Sequence, residues 1–215
     1  GEYIATVTSD GYEQSDAEKG LAAYYRGDIE SSRNETDKAY LAYELAAQRL
    51  ADRGKRSDAY MKMAEIQVAR GNRDQAATLA EQSAEALPEA WKLRQIGDFL
   101  LRLDEPDRAF GYFERSMRAT SAGGGGDASV YAAMADAYNG MGERASYLKY
   151  ARAYIDAVTA GGRVPSGAEE GLAAYYQGEI LASEKDASGA YRAYERALRS
   201  LANPNLLAEA YMKMA

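Results

Sequence analysis

The 215-residue chain contains no cysteine and no histidine. That excludes disulfides, thiolate nucleophiles, zinc sites built on Cys or His, and imidazole general bases. Carboxylate metal sites and paired-carboxylate or Ser/Lys chemistry survive this filter. Proline is scarce, at 4 residues, which leaves room for many unbroken helices. No run of 18 apolar residues occurs, so no transmembrane helix is expected. No secretory or lipidation signal is visible, which means little if the chain is part of a longer one. Positive charge is also short: 26 Lys and Arg stand against 33 Asp and Glu, for a formal charge of −7. Nucleic acid and anionic membrane both require clustered positive charge, so neither is expected as a partner. The lack of cysteine is compatible with the cytoplasm or a periplasm and does not choose between them.

What the chain does have is self-similarity. SDAEKGLAAYYRGDI, from Ser15 to Ile29, returns as SGAEEGLAAYYQGEI, from Ser166 to Ile180. AYMKMA at Ala59–Ala64 returns at Ala210–Ala215. Both offsets are 151 residues, and residues 1–64 align without a gap to 152–215 at 31 identities. Chance does not give that agreement, so a 151-residue unit has been duplicated. The alignment also settles a local ambiguity. Glu2–Gly11 reads as a strand and turn on its β-branched residues. Its counterpart, Ala153–Gly162, follows directly from the helical pattern SYLKYARAY. Glu2–Thr8 is therefore expected to be the last part of a helix, and residues 206–215 the start of another. On this reading the array continues past both ends.

Each unit subdivides into helix pairs: a first helix containing Ala or Gly, a short Gly/Asn/Asp turn, and a second helix with small and aromatic residues spaced by four and three. In Leu93–Ser116 the positions Leu93, Ile96, Gly97, Leu100, Ala109, Phe113 and Ser116 carry the pattern large, large, small, large, small, aromatic, small. Tyr60, Met63, Ala64, Ala76, Ala80 and Ser83 repeat it in the preceding pair, and Pro88 closes that pair. Tyr131, Met134, Ala135 and Tyr138 repeat its first half, although Tyr147 then stands where a small residue is expected. Gly27 and Gly178 take the small site in the outer pairs. Over its whole length the sequence resembles the tetratricopeptide repeat family. The small residues matter because the two helices of a pair cross there and a larger side chain would separate them.

The resemblance implies an all-α fold, a right-handed superhelical solenoid of antiparallel helix pairs. The pairs are expected at about 15–53, 56–88, 90–120, 127–160 and 166–203. The early second-helix position runs Ala39, Ala76, Ala109, Tyr147, Ala190, giving repeats of 37, 33, 38 and 43 residues. The excess falls in two loops, Ser121–Asp127 and Thr159–Gly167, which we expect to change the pitch or act as joints. One pair cannot bury its apolar face alone, so stability comes from stacking.

The resemblance also implies a groove lined by the first helix of each pair, binding a peptide or partner protein without turnover chemistry. The residue after the small site is acidic in every pair: Asp28, Glu65, Asp98, Asp136 and Glu179. Four residues earlier lie Tyr24, Met61, Arg94, Ala132 and Tyr175. The candidate groove residues are thus Tyr24, Asp28, Met61, Glu65, Arg94, Asp98, Asp136, Tyr175 and Glu179, suited to a basic or mixed peptide. The competing reading pairs these carboxylates internally, as with Arg94 or Arg102, each four residues from Asp98.

Tyrosine numbers 18 against 3 Phe and 1 Trp. Tyr40, Tyr43, Tyr191 and Tyr194 are expected to pack between helices. Tyr24-Tyr25 and Tyr175-Tyr176 are adjacent pairs pointing in different directions, so only one of each is expected in the core. Trp91 opens a first helix and is expected to pack. Gly123–Gly126 before Asp127 lacks the Lys, Ser/Thr and preceding strand of a phosphate loop. No carboxylate cluster supplies the oxygens Ca²⁺ needs. We expect no catalytic residue, metal or cofactor. An alternative role comes from large bacterial exopolysaccharide-export proteins, which look like long arrays of this kind ahead of a β-barrel. On that analogy the chain is a periplasmic portion, with polysaccharide as a further partner. Gly97→Leu should wedge its helix pair apart and lower stability by about 1–3 kcal/mol or more, read by urea denaturation. A neutral result would mean that the crossing is absent.

Overall fold

The structure, a computed structural model, describes residues 15–121 and 128–215. The expected helix end at Glu2–Thr8 and the Gly123–Gly126 run lie outside the described residues. Among the described residues there are α-helices, one short 3-10 turn and no strand. The helices are α1 (Asp16–Ser32), α2 (Thr36–Arg49), α3 (Arg53–Ala69), α4 (Arg73–Ala86), α5 (Ala90–Arg102), α6 (Pro106–Ser121), α7 (Ala128–Gly140), α8 (Arg144–Thr159), α9 (Gly167–Ser183), α10 (Ala187–Ala197) and α11 (Pro204–Met214). This is an all-α helical repeat solenoid. The chain forms two compact units, Gly1–Tyr112 and Phe113–Ala215, the division falling inside α6.

Helix starts and turns follow local chemistry. Ser15 and Ser166 each close a capping box at the start of α1 and α9. The Ser15 hydroxyl accepts from the Glu18 amide at 3.3 Å while the Glu18 carboxylate accepts from the Ser15 amide at 2.9 Å. Two otherwise orphaned amides are satisfied in this way. Each pair then turns on one residue with left-handed backbone: Asn34, Gly71, Asp104, Gly142 and Lys185, with φ of 61°, 78°, 63°, 73° and 65°. The amide following that residue donates back five residues, as from Glu35 to the Glu30 carbonyl and from Asp186 to the Leu181 carbonyl, at 2.9 and 3.0 Å. That bond is the Schellman closure of a helix end.

In the first unit α1 packs on α2, α2 on α3, α3 on α4 and α4 on α5. The small residues sit at the closest contacts. Ala39, Ala64, Ala76 and Ala109 are fully buried, and the Ser57 and Ser83 hydroxyls share a buried hydrogen bond of 2.7 Å between α3 and α4. Two glycines set the α1–α2 crossing. A β-carbon on Gly27 would lie 2.5 Å from the ring of Tyr43, and one on Gly20 would lie 2.9 Å from the backbone where α2 ends at Arg49 and Leu50.

In the second unit α7 packs on α8, α8 on α9, α9 on α10 and α10 on α11. The same two glycine contacts recur. A β-carbon on Gly178 would meet the Tyr194 ring at 2.5 Å, and one on Gly171 would meet the Leu201 amide at 2.5 Å. Tyr147, at the site expected to be small, is buried and meets Tyr176 edge-on, with ring centres 6.0 Å apart. An aromatic cluster of Tyr147, Tyr154, Tyr175, Tyr176 and Tyr194 therefore fills the space that small residues close elsewhere.

Tyr175 and Tyr176 are both buried, which corrects the expectation that only one of each adjacent pair enters the core. A first helix has a neighbour on either side. Tyr176 faces α7 and α8, and Tyr175 faces α11. Tyr191, expected to pack, is half exposed, as is Trp91.

Gly27→Ala and Gly178→Ala should each destabilise by about 1–3 kcal/mol in urea denaturation, because an aromatic ring must move. Gly111→Ala is the contrast. Its β-carbon meets nothing within 4 Å on α6, so the substitution should stabilise by about 0.5–1 kcal/mol through lost backbone entropy in the unfolded chain.

Candidate interaction surface

The nine candidate residues lie on the first helices α1, α3, α5, α7 and α9, but they are not alike. Tyr24, Met61, Tyr175 and Glu179 are buried. Tyr24, Tyr175 and Glu179 are each met by the next first helix in the chain. The Tyr24 hydroxyl donates to Asp58 on α3 at 3.1 Å. The Tyr175 hydroxyl donates to Glu209 on α11 at 2.6 Å. Asp58 and Glu209 are equivalent under the 151-residue offset, so one contact is built twice. Burial, with the facing carboxylates, holds both hydroxyls far above the ordinary tyrosine value and therefore protonated.

The acidic members are mostly matched internally. Asp28 accepts from the Tyr43 hydroxyl at 2.8 Å and pairs with Lys62 of α3 at 3.3 Å. Glu179, its counterpart, accepts from the Tyr194 hydroxyl at 2.6 Å, pairs with Lys213 of α11 at 2.5 Å, and also receives Arg144 of α8 at 2.6 Å. One acid thus ties its own pair to the next, through a tyrosine below and a lysine beyond. Burial alone would raise the pKa of Glu179, but the bonds from Lys213, Tyr194 and Arg144 together hold it below the ordinary value of 4.5. Asp98 pairs with Arg94 one turn away at 3.0 Å. Of the two arginines in reach the structure uses Arg94, and Arg102 instead covers the Phe99 ring.

Two acids have no cationic partner among the described residues. Glu65 on α3 is exposed and has no hydrogen-bond or ion-pair partner among the described residues. Asp136 on α7 keeps contact with water and accepts from the Tyr176 hydroxyl at 3.2 Å. Crowding by surrounding protein raises its pKa, the Tyr176 bond opposes the rise, and the charge of Glu209 adds to it. The structure also brings forward two residues outside these nine. Tyr25 and Trp91 are exposed on α1 and α5, the Lys55 amine lies 5.9 Å from the Tyr25 ring centre, and the Lys92 amine 4.9 Å from that of Trp91. The partners Asp58, Lys62, Glu209 and Lys213 could have been found from sequence, since each lies 34 residues beyond the group it contacts. Arg144 left no such signal.

Among the described residues no three acidic, His or Cys side chains converge to hold a metal ion, and no helix is long and apolar enough to cross a membrane.

Comparison with known proteins places this geometry. No protein-family model matches the sequence. No curated protein sequence matches it either. Solved structures do. YrrB, a tetratricopeptide-repeat protein with an unusual peptide-binding site, superposes with a TM-score of 0.61 at 16% identity, covering 99% of this chain and 98% of YrrB. MamA gives 0.58 at 17% identity, covering 85% of this chain and 92% of MamA. The C-terminal part of a tetratricopeptide-repeat protein from Cytophaga hutchinsonii gives 0.67 at 18% identity, covering 88% and 72%. At such identities the likeness is one of fold, and the fold is the tetratricopeptide-repeat α-solenoid.

The Glu179 cluster has a pH signature. A carboxylate whose folded pKa lies below its unfolded value stabilises fully above that value and less as pH falls through the folded pKa. Stability should therefore decline below about pH 4.5, the ordinary value of this group. Glu179→Gln should flatten that acid limb. Glu179→Ala should cost about 3 kcal/mol at pH 7, the low end for a broken buried pair, since Arg144 and Lys213 can turn to water. Urea denaturation against pH measures both; an unchanged acid limb in the Gln variant refutes the assignment.

Proposed function

We propose that this tetratricopeptide-repeat fold serves as a non-catalytic interaction scaffold, holding a peptide or partner protein along the exposed faces of its first helices. The observation that supports it most is register. The contacts Tyr24–Asp58 and Asp28–Lys62 in the first unit, and Tyr175–Glu209 and Glu179–Lys213 in the second, each join residues 34 apart. Successive first helices in a unit therefore lie side by side and present matching positions. Elsewhere on these first helices of the first unit Tyr25, Glu65 and Trp91 meet solvent. A rigid, half-exposed tryptophan is a common anchor of protein recognition.

Because Asp28, Asp98 and Glu179 already have cationic partners, the surface does not favour a strongly basic ligand. A segment of mixed charge that supplies an apolar group for Trp91 fits better. The YrrB likeness is consistent with peptide binding, which is printed of YrrB and is a proposal for this chain.

Peptides selected from a random displayed library against the whole chain should bind Trp91→Ala and Glu65→Lys at least tenfold more weakly than the parent, with far-ultraviolet circular dichroism unchanged. Both side chains are exposed, so the fold should survive. Equal affinity for the parent and both variants sinks the first-helix surface as the binding face.

A further inference from the structure

One charged side chain stands where the repeat places an apolar residue. Five residues before the small site the other first helices carry Ala22, Ala59, Val130, Ala173 and Ala210, and α5 carries Lys92. The position is interior. Ala59, Val130 and Ala210 are fully buried, and Lys92 keeps 2% of its surface. Lysine is almost never so enclosed unless it is paired, because a desolvated ammonium ion is costly without a counter-charge. Yet the Lys92 amine has no hydrogen-bond or ion-pair partner among the described residues. What it meets is the indole of Trp91, with 4.9 Å between amine and ring centre.

The neighbouring carboxylates are committed elsewhere. Asp58, whose charge acts on Lys92 from α3, accepts from the Tyr24 hydroxyl at 3.1 Å. Glu89 accepts from the Trp91 indole N–H at 2.6 Å. Burial outweighs the pull of Asp58 and holds the amine below the ordinary lysine value of 10.5. An arriving carboxylate would favour the charged form.

The amine can be reached. Among the described residues the fully enclosed side-chain polar atoms without a partner are Glu30 Oε2 and Arg56 Nε. The Lys92 amine is not one of them, so it keeps a little contact with water. The stem runs through the interior, as long charged side chains do, and the tip surfaces beside Trp91, which is 52% exposed. Alanine serves the stacking at this position in four other pairs, so packing does not call for the charge.

We propose that Lys92 and Trp91 form a two-part subsite for an acidic side chain flanked by an apolar one. The partner's carboxylate becomes the counter-charge of the Lys92 amine, and the apolar neighbour lies on the exposed face of the Trp91 ring. The subsite rests on the reading of the first-helix surface as the binding face. It adds the charge of the partner residue beside the Trp91 anchor. A hydrogen bond between two charged groups in a poorly hydrated site is stronger than one made in open water, so this carboxylate contributes to selectivity.

The test uses Trp91, the one tryptophan of the chain, as its reporter. Its emission is followed at neutral pH and low salt while acetyl-Gly-Leu-Glu-Leu-Gly-amide is added, and separately the neutral isostere acetyl-Gly-Leu-Gln-Leu-Gly-amide. The Glu peptide should change the emission saturably and bind about tenfold more tightly than the Gln peptide. In Lys92→Met, which keeps the length of the stem, the two peptides should bind equally, at the level of the Gln peptide on the parent. The thermal midpoint of that variant should stay or rise, because an unmatched buried charge is gone. The subsite is overturned by no saturable change with the Glu peptide, by equal binding of both peptides to the parent, or by a Glu preference that survives in Lys92→Met. A lower thermal midpoint also overturns it, since the charge would then be matched within the chain. If library-selected peptides lose affinity with Trp91→Ala and Glu65→Lys but bind Lys92→Met undiminished, the subsite falls while the binding face stands.

Discussion

The rest of the molecule depends on how closely α1 approaches α2 and α9 approaches α10. Glycine at 27 and 178 lets the rings of Tyr43 and Tyr194 lie directly on the neighbouring backbone. That approach carries each tyrosine hydroxyl to the acid one residue on, Asp28 or Glu179. The acid in turn reaches the lysine of the next first helix. A steric condition inside a pair thus becomes a polar bond between pairs. A larger residue at the glycine would separate the helices and displace the hydroxyl that fixes the acid.

That linkage accounts for the mixed character of the first-helix surface. Residues facing the following pair are used up in stacking: Tyr24, Tyr175 and Glu179 are buried there. Residues displaced around the helix, such as Tyr25, Glu65 and Trp91, stay in water. In a repeat protein each unit is stable only through its neighbours, so stacking takes the first claim on side chains and recognition takes the remainder.

Much of the fold was legible. The spacing of Gly97, Ala109, Phe113 and Ser116 marks a helix pair, and the 151-residue identity carries that reading to pairs with weaker patterns. The capping boxes at Ser15–Glu18 and Ser166–Glu169 are visible as S-x-x-E. The site was less legible because one periodicity serves two ends. A residue recurring on every first helix faces either a ligand or the next helix, and both uses produce the same column. Glu179 and Glu65 occupy the same repeat position, yet one is enclosed by Arg144, Lys213 and Tyr194 while the other is bare.

The sequence by itself determined the helix pairs, the short turns within them and the internal duplication, because these rest on local spacing that each segment carries with it. Only the tertiary structure decided which acids are neutralised and that Tyr175 and Tyr176 are both interior. Those outcomes depend on what a neighbouring helix brings to within hydrogen-bonding distance. Arg144 reaches Glu179 from α8, 35 residues away, and no spacing within either helix encodes that meeting.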